Sequence, residues 1–420
     1  MPGAGPVRAA YRAEGLPAPG RALAQKNREP AGLIHVRARR KGRYEMGAPV
    51  CRACRGQAGE LVLDLGEQPA CDYFPPSADP GPDPVYPLQM WLCAACGLAQ
   101  LVADPTVPEE PRGAEPAALV AQAADAVARA AAAGVLAGGR RVAEYGSPHG
   151  GSWLDLLRGR GLTEVAPGEP ADVVLDCFGL MHAADQSAAL AERVSRVLPG
   201  GVLLLQYHSL DAIIRGGQWN ALRHGHYAYY SAAALSAMLA AQGFRACRAW
   251  QFDLYGGTVL LAACRDGETL CAADGSVASL LSQEAAAGVR DPAVLGGLQR
   301  DARAKARGLH DWLAAERSAG RTVLGYGAAS RAVALLRWAE ADQSLIRAVA
   351  DASPAKQGRR MPGTDIPVVS PAQLAGYRPS AVALFLADLL PEVRAAYPEV
   401  EAGGGRWVNV ELLSSAAARG

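Results

Sequence analysis

Short apolar runs alternate with helical patterns in two stretches of this chain. Such alternation is typical of a parallel sheet with helices on its faces. The first stretch covers residues 140–265, and the second follows a helical pattern over 301–319. The candidate strands are 141–145, 173–177 and 202–207 in the first stretch, and 322–326, 346–351 and 381–386 in the second. The sequence therefore predicts an α/β protein with two Rossmann-like units.

The first unit is too short for a complete sheet of this type. Only about 15 residues separate Leu157 from Asp172, whereas one βαβ unit takes about 30 residues. Residues 162–165 can supply one short strand at most. We therefore predict that edge strands are missing from the first unit.

The remaining stretches complete the domain organisation. Residues 1–48 are rich in Pro, Gly and Arg without an apolar period, which predicts a disordered tail. A nucleic-acid-binding arm is the alternative, although no aromatic residues interleave its basic run. The predicted parts are the tail at 1–48, a cysteine module at 49–104, the first α/β unit at 117–265 and the second at 280–420, with a Pro-rich linker at 105–116.

The cysteine module contains two matched pairs, Cys51-x-x-Cys54 and Cys93-x-x-Cys96. Each pair offers two thiolates from one tight turn, and a tetrahedral Zn²⁺ needs four ligands. A redox pair or four unligated cysteines are the alternatives, but two pairs favour zinc. No open ligand position is evident, so the zinc is predicted to be structural. The other cysteines, Cys71, Cys177, Cys247, Cys264 and Cys271, are predicted to be small core residues.

The overall charge gives no sign of a polyanionic partner, because 42 basic residues balance 41 acidic ones. No run reaches the roughly 18 uninterrupted apolar residues of a membrane helix, and the N-terminus lacks the pattern of a secretory signal. We therefore expect a cytoplasmic protein with a small-molecule substrate and neither nucleic acid nor membrane as a partner. The expected state is a monomer or a homodimer.

Several motifs occur in the order shown by one known family. Residues 63–69 read Leu-Asp-Leu-Gly-Glu-Gln-Pro, and residues 224–231 read His-Gly-His-Tyr-Ala-Tyr-Tyr-Ser. Residues 351–358 read Asp-Ala-Ser-Pro-Ala-Lys-Gln-Gly, and residues 362–371 read Pro-Gly-Thr-Asp-Ile-Pro-Val-Val-Ser-Pro. From residue 50 to about residue 410 the chain resembles the NDP-hexose C-methyltransferases of deoxysugar and antibiotic biosynthesis.

This resemblance implies a class I methyltransferase fold for the middle domain, with S-adenosylmethionine (SAM) as cofactor. It implies that the C-terminal domain helps to hold a nucleotide-linked keto-sugar. A base in the cleft would remove the proton beside the ketone, and the resulting enolate would take the methyl group.

The implied cofactor loop reads Glu-Tyr-Gly-Ser-Pro-His-Gly over residues 144–150. A glycine turn lets the backbone approach the methionine part of SAM, so the candidate cofactor-binding residues are Glu144, Gly146 and Gly150. Pro148 and His149 replace a polar pair of the family, and 177–178 read Cys-Phe instead of Asn-Asn. Glu164 is the only acidic residue near the end of a second strand, where the ribose is normally held. These departures predict impaired or lost use of SAM.

The implied catalytic segment contains His224 and His226, with Gly225 in place of a glutamate. Residues i and i+2 of an extended segment point the same way, and histidine titrates near neutral pH, as a general base requires. Packing or turn capping is the alternative role. His208 matches a further family segment, and Tyr73 would supply a hydroxyl from the zinc module. The candidate catalytic residues are therefore His224, His226, His208 and Tyr73.

The C-terminal unit contains the turn Gly-Tyr-Gly-Ala-Ala-Ser at 325–330, whose backbone amides are placed to face a phosphate. Asp351 follows the next strand, where an acidic residue can bond a ribose hydroxyl. A glycine turn without a ligand is the alternative. The candidate substrate-binding residues are Gly325, Gly327, Arg331, Asp351 and Lys356.

Three functions stay open on the sequence. The favoured hypothesis is an enzyme of deoxysugar or natural-product biosynthesis that uses its histidine cleft for proton chemistry on a keto substrate, with SAM use impaired or lost. The second is a working SAM-dependent C-methyltransferase acting on an NDP-keto-sugar. The third is a non-catalytic partner subunit, against which the retained histidine pair argues.

Overall fold

The structure is a computed structural model that describes residues 37–38, 44–45, 47–79, 81–106, 117–147, 150–268 and 274–413. Most of the predicted tail lies outside the described residues, as do Pro148, His149 and Cys271. Within the described part, no helix has both the length and the apolar character needed to cross a membrane.

The elements alternate along the chain as the sequence pattern predicts. The strands are β1 (Arg37–Ala38), β2 (Tyr44–Glu45), β3 (Gly59–Pro69), β4 (Val85–Cys93), β5 (Ala99–Leu101), β6 (Arg141–Tyr145), β7 (Thr163–Glu164), β8 (Ala171–Cys177), β9 (Val197–His208), β10 (Ala228–Tyr229), β11 (Phe244–Phe252), β12 (Thr258–Arg265), β13 (Val323–Tyr326), β14 (Val349–Ala350), β15 (Val368–Val369), β16 (Ala381–Leu384) and β17 (Trp407–Asn409). The α-helices are α1 (Ala117–Ala132), α2 (Leu154–Arg158), α3 (Gln186–Ser195), α4 (Leu210–Arg215), α5 (Ala232–Ala240), α6 (Ser276–Ala287), α7 (Pro292–Leu295), α8 (Gly297–Ser318), α9 (Ser330–Trp338), α10 (Leu390–Ala396) and α11 (Glu399–Ala402).

The zinc module is built on a four-stranded antiparallel sheet in the order β10-β5-β4-β3. Its edge strand β10 comes from the middle domain, and Ala228 pairs with Gln100 of β5. The predicted catalytic segment at 224–226 ends two residues before the start of β10. This pairing therefore fixes that segment against the zinc module.

The middle domain has a six-stranded sheet in the order β11-β12-β9-β8-β6-β7. Strands β7, β6, β8 and β9 are parallel, and β12 and β11 are antiparallel additions. Alternate side chains enter opposite cores: Val174 packs in a core that includes α3 and α5 residues, and Val173 packs in one that includes α1 and α2 residues. The three strands predicted for this unit are confirmed.

The predicted truncation of this sheet is also observed. Strand β7 has two residues, and the fully described stretch 165–170 that follows it contains no strand. The sheet therefore ends at β7, without a further strand beyond it on that edge.

The C-terminal domain has five parallel strands in the order β15-β14-β13-β16-β17. This order confirms the predicted second Rossmann-like unit. The crevice between β13 and β16 lies where the strand order reverses, which is where open parallel sheets bind their ligands.

The three parts share one apolar core, which joins residues of β3 and β4, α8 and α9, and the 210–229 segment. The boundary predicted at residue 280 falls inside α6, which packs on β11 and α5 of the middle domain. Buried Glu284 of α6 accepts hydrogen bonds from the N–H groups of Ala232 and Ala233 at 2.7 and 3.0 Å. It thereby caps the start of α5 and ties α6 to the middle domain.

Candidate functional site

The four predicted metal ligands form one cluster. The Sγ atoms of Cys51, Cys54, Cys93 and Cys96 all lie within 4.8 Å of one another. The Cys51–Cys96 and Cys54–Cys93 sulfur distances are 3.5 and 3.6 Å. A tetrahedron with Zn–S bonds of about 2.3 Å has edges of about 3.8 Å. The spacing therefore fits zinc, and the cluster's place in a closed turn pair fits a structural ion.

A buried arginine connects the zinc turn to the cleft. Arg52 lies between the first two cysteines, and its guanidinium donates to the carbonyl of Ala184 at 3.0 Å. The same guanidinium lies 4.7 Å from the ring centroid of Tyr227. Ala184 is two residues beyond His182, and Tyr227 follows His226. The zinc turn thus supports both histidine-bearing segments.

A cavity of about 540 Å³ lies where the three domains meet. The zinc module contributes Asp72 and Phe74, the cofactor loop contributes Ser147 and Gly150, and the strand ends contribute Phe178 and His208. The C-terminal domain adds the α9 start and the loop after β16. Other described residues on its wall include His182, Arg223, His226, Tyr255, Ser330, Arg331 and Lys356. Its volume is in the range of pockets for small-molecule ligands.

The predicted cofactor residues mainly hold the loop itself. The two carboxylate oxygens of Glu144 accept from Ser152 Oγ at 2.5 Å and from the N–H of Trp153 at 2.6 Å. Gly150 has a φ of 100° and lines the cavity. Gly146 is not among the described residues on the cavity wall, but its neighbour Ser147 is. The loop therefore reaches the cavity through Ser147 and Gly150.

The edge that would hold the adenosine of SAM is reduced. Glu164 ends the two-residue strand β7 and forms an ion pair with Arg158. The segment after β8 also closes on the cofactor loop, since a Cβ atom on Gly179 would lie 3.0 Å from the carbonyl oxygen of Gly146. Glu164 is thus paired within the protein, and the backbone after β8 packs against the cofactor loop.

The two histidines of the 224–226 segment do not point the same way, contrary to our expectation for an extended segment. Gly225 between them has a φ of 82°, so the segment turns. The His224 side chain is buried, and its Nε2 lies 3.3 Å from the carbonyl oxygen of Pro87. His224 is not among the described residues on the cavity wall. Burial lowers the pKa of His224 despite nearby Asp104. His226 does line the cavity.

His226 is held by an arginine that also contacts the C-terminal domain. Arg223 Nε lies 2.8 Å from His226 Nε2, and Arg223 Nη1 lies 2.8 Å from Ser330 Oγ. Arginine can only donate, so His226 Nε2 accepts and the ring is neutral. The basic nitrogen of His226 is therefore already occupied.

His182 is a cavity histidine that our sequence analysis did not select. Its Nδ1 lies 2.9 Å from the carbonyl oxygen of Gly225. A carbonyl only accepts, so Nδ1 carries the proton and Nε2 is the basic nitrogen of the neutral ring. The rings of His182 and His226 meet edge to face with 4.6 Å between centroids. The sequence signal was the Leu-Met-His segment at 180–182, which follows β8.

His208 lines the cavity as predicted, but it is a weak base. Burial, reinforced by the charge of Arg331, lowers the pKa of His208 to about 3. Tyr73 is not among the described residues on the wall, and its neighbour Phe74 is. The zinc module therefore presents an apolar ring where we expected a hydroxyl.

The candidate substrate residues of the C-terminal domain have mixed placements. Gly325 lies inside β13, where a Cβ atom would come within 2.7 Å of Phe385. Gly327 has a φ of 88° and shapes the turn. Both oxygens of Asp351 accept backbone N–H groups, from Ala328 at 2.7 Å and from Ser353 at 2.8 Å. These three residues build the turn, and none is among the described residues on the cavity wall.

Arg331 and Lys356 do face the cavity. Lys356 Nζ donates to the carbonyl of Ala328 at 2.7 Å and lies 4.9 Å from the Phe74 ring centroid. Among the described charged residues of the wall, Lys305 and Glu411 form an ion pair of 2.6 Å. The remaining charged residues of the described wall are three cations, Arg223, Arg331 and Lys356, and one anion, Asp72. The cavity thus carries a positive excess, which favours an anionic ligand.

Three families match consecutive parts of the chain. Residues 51–109 match the family described as "Putative zinc binding domain", residues 117–248 match "Methyltransferase domain", and residues 253–410 match "C-methyltransferase C-terminal domain". Together the three matched stretches run from residue 51 to residue 410 with short gaps, so the chain is similar to the C-methyltransferases over most of its length. The resemblance inferred from the motifs is thereby confirmed, together with the zinc-binding character of the module that holds the four cysteines.

A curated member of the C-methyltransferase group is C-methyltransferase NovU of Streptomyces niveus, which is 28% identical over 238 residues. The match covers 55% of this chain and 54% of NovU, so it spans about half the length of that relative. Among solved structures, the magnesium protoporphyrin IX methyltransferase of Synechocystis PCC 6803 is 15% identical, with a TM-score of 0.28, and the match covers 37% of this chain and 90% of that one. The N-methyltransferase NodS of Bradyrhizobium japonicum is 12% identical, with a TM-score of 0.27 and coverages of 35% and 87%.

Proposed function

We propose that this chain is an enzyme that removes the proton beside the carbonyl group of an anionic keto substrate, such as a nucleotide-linked keto-sugar, without using SAM. The observation that carries the proposal is the position of His182 on the cavity wall, with its Nδ1 facing the Gly225 carbonyl at 2.9 Å. Its basic Nε2 is the proton acceptor. His182 is chosen over the histidines predicted from the sequence, because the contacts and burial of those histidines make them poorer bases.

The other two cavity histidines are poorer bases. His226 Nε2 already accepts from Arg223, and the pKa of His208 is lowered to about 3 by burial and by Arg331. A general base works best when its pKa lies near the working pH. His226 and Arg223 are better suited to hold the substrate and the base in register.

The charge of the cavity supports the same step. The proton passes from the carbon to His182 Nε2, and the electron pair of the broken C–H bond forms an enolate whose oxygen is negative. Arg223, Arg331 and Lys356 supply the positive charge that stabilises this oxygen and the anionic part of the substrate. Exchange results when the proton on His182 is replaced by one from solvent before carbon is reprotonated. Isomerisation results when the proton is delivered to the opposite face of that carbon or to another atom of the enolate.

The residues of the middle domain do not fit the adenosine half of SAM. Strand β7 ends after two residues, Glu164 is paired with Arg158, and the stretch 165–170 forms no further strand. The positive excess of the cavity also disfavours a sulfonium cation. We therefore derive no methyl transfer step for this chain.

Solvent exchange tests the proposal directly. The zinc-loaded protein is incubated with NDP-linked keto-hexoses in ²H₂O without SAM, and the proton signal beside the ketone is followed by NMR. We expect loss of this signal well above the protein-free rate, and its absence in His182→Asn. A panel of such sugars that exchanges no faster with protein than without it would reject the proposal.

A second candidate is SAM-dependent C-methylation of an NDP-keto-sugar, the activity that the family name suggests. It is favoured by the opening of Ser147 and Gly150 of the cofactor loop onto the cavity that contains His182. Transfer of a labelled methyl group from SAM to a keto-sugar carbon would establish it. In that case the proton removal by His182 would remain, with SAM as a second reactant.

A further inference from the structure

Two aromatic residues with left-handed backbones meet in the cavity. Phe178 has a φ of 58°, Tyr255 has a φ of 57°, and their ring centroids are 6.3 Å apart. Both line the cavity. Left-handed backbone is rare for bulky side chains and marks positions that the surrounding structure holds in place. The coincidence of two such residues at one contact points to a local function.

Phe178 is fixed by the end of strand β8. Its N–H donates to the carbonyl of Gln206 at 3.2 Å. Directly after it, the N–H groups of Gly179 and Leu180 donate to Asp176 Oδ1 at 2.8 and 2.9 Å. Asp176 is fully buried and ion-paired with Arg193. The turn that presents the Phe178 ring is therefore rigid.

Tyr255 is fixed by residues in and just after helix α4. Gln218 Nε2 donates to its carbonyl at 3.0 Å. The next two residues are glycines in close contact, since Cβ atoms on Gly256 and Gly257 would come within 2.3 Å of Gln218 and Ala212. The Arg331 guanidinium lies 5.5 Å from the Tyr255 ring centroid, and the His208 ring lies 6.3 Å from it.

The Phe178 ring shares its wall with Ser147 and Gly150 of the cofactor loop, and Gly179 touches Gly146. The resemblance to the C-methyltransferases implies that this turn is where the methionine part of SAM would lie. The guanidinium of Arg331 lies against the Tyr255 ring and also lines the cavity, and its positive charge opposes a sulfonium there. The two rings and the Arg331 charge therefore line the same cavity as Ser147 and Gly150 of the cofactor loop.

We propose that Phe178 and Tyr255 form an aromatic pair that fills the methionine half of the cofactor site, excludes SAM, and sets the ligand specificity of this end of the cavity. The inference deepens the proposed function and rests on it. It assigns the loss of SAM to two side chains as well as to the reduced edge at β7.

The test is calorimetric titration of zinc-loaded protein with S-adenosylhomocysteine. The variants are Phe178→Asn, Tyr255→Asn and the double variant, because asparagine tolerates left-handed backbone and removes the ring. Arg378→Asn is the matched control, since Arg378 also has a left-handed backbone, with a φ of 46°, and lies outside the cavity wall. We expect a Kd weaker than about 1 mM for the wild type and the control, and at least a roughly tenfold tighter Kd for the double variant.

Micromolar binding by the wild type would overturn the inference, because the rings would not exclude the cofactor. Equal, undetectable binding by the folded double variant would overturn it as well, since exclusion would then lie in the adenosine half alone. Folding is checked by circular dichroism and zinc content. Neither outcome depends on the solvent-exchange assay, so failure here is distinguishable from failure of the proposed function.

Discussion

The His182 ring meets the His226 ring edge to face, with 4.6 Å between centroids, and Nδ1 of His182 also faces the carbonyl of Gly225, directly before His226. The first histidine follows β8 of the middle domain, and the second precedes β10 of the zinc module sheet. One contact therefore joins the two segments on which the proposed proton chemistry depends.

His182→Asn is expected to lower the rate of solvent exchange by about 10²–10⁴-fold, the usual contribution of a general base. The asparagine side chain keeps a donor for the Gly225 carbonyl but lacks a basic nitrogen. The measurement is the NMR exchange rate in ²H₂O. His310→Asn is the control, because His310 Nδ1 also faces a backbone carbonyl, that of Ala339 at 2.9 Å, away from the cavity. Equal losses in both variants would argue against a catalytic His182.

Arg331→Ala is expected to weaken nucleoside diphosphate binding roughly tenfold, as hydrogen bonds to charged groups are worth about 1.5–3 kcal/mol. Lys356→Ala should act in the same direction. Binding is measured by calorimetry at two salt concentrations, and the difference between variants should shrink at high salt. Arg347→Ala, an exposed arginine outside the cavity wall, should leave the Kd unchanged. An unchanged Kd in Arg331→Ala would remove this residue from the substrate site.

Zinc removal is expected to disturb the cleft as well as the module. One zinc ion per chain should be released by a strong chelator, with a lower melting temperature, because structural zinc contributes directly to folding. The Arg52 contacts to Ala184 and Tyr227 would loosen with the turn that carries them. Metal analysis provides the check: Cys93→Ser should lose the ion, whereas Cys71→Ser, buried in the same module but outside the cluster, should keep it.

The buried ion pair of Asp83 with Arg360 joins the zinc module to the C-terminal domain. The two guanidinium nitrogens of Arg360 bind the Asp83 oxygens at 2.6 and 2.8 Å, with both side chains less than one-tenth exposed. Asp83→Asn should cost about 3 kcal/mol of unfolding free energy at pH 7, because it leaves a buried charge without its partner. Denaturant unfolding gives this value. The control is Asp155→Asn, whose carboxylate is 95% exposed.

The same pair predicts the direction of a pH effect. Burial opposes the ionisation of Asp83, but its bonds to Arg360 and to the Gly363 N–H outweigh this and lower the pKa of Asp83. Because the folded-state pKa is the lower one, the stabilisation is complete above about pH 4 and is lost as the pH falls further. The stability gap between wild type and Asp83→Asn should therefore narrow on acidification. A gap that stays constant down to pH 3 would contradict this.

The fold and the zinc site follow from patterns that are local in the chain. Two CxxC turns with left-handed residues after them present four thiolates whatever the rest of the chain does. Strands such as β8 and β16 contain short apolar runs between turns, and these runs can be recognised without knowledge of distant contacts. The truncation at β7 follows from chain length alone, because 165–170 is too short for another βαβ unit.

The chemistry of the cavity was decided by tertiary structure. The left-handed φ of Gly225 turns His224 and His226 in different directions. Phe74 lines the cavity where Tyr73 was expected. The Asp351 carboxylate accepts backbone N–H groups of its own turn instead of facing a ligand. His182 becomes the candidate base only because the Gly225 carbonyl, 43 residues away, fixes its proton. The sequence by itself thus determined which elements and ligand turns form, since these depend on neighbouring residues. Which side chains face one another across the cavity depends on how three domains pack, and no local pattern encodes that packing.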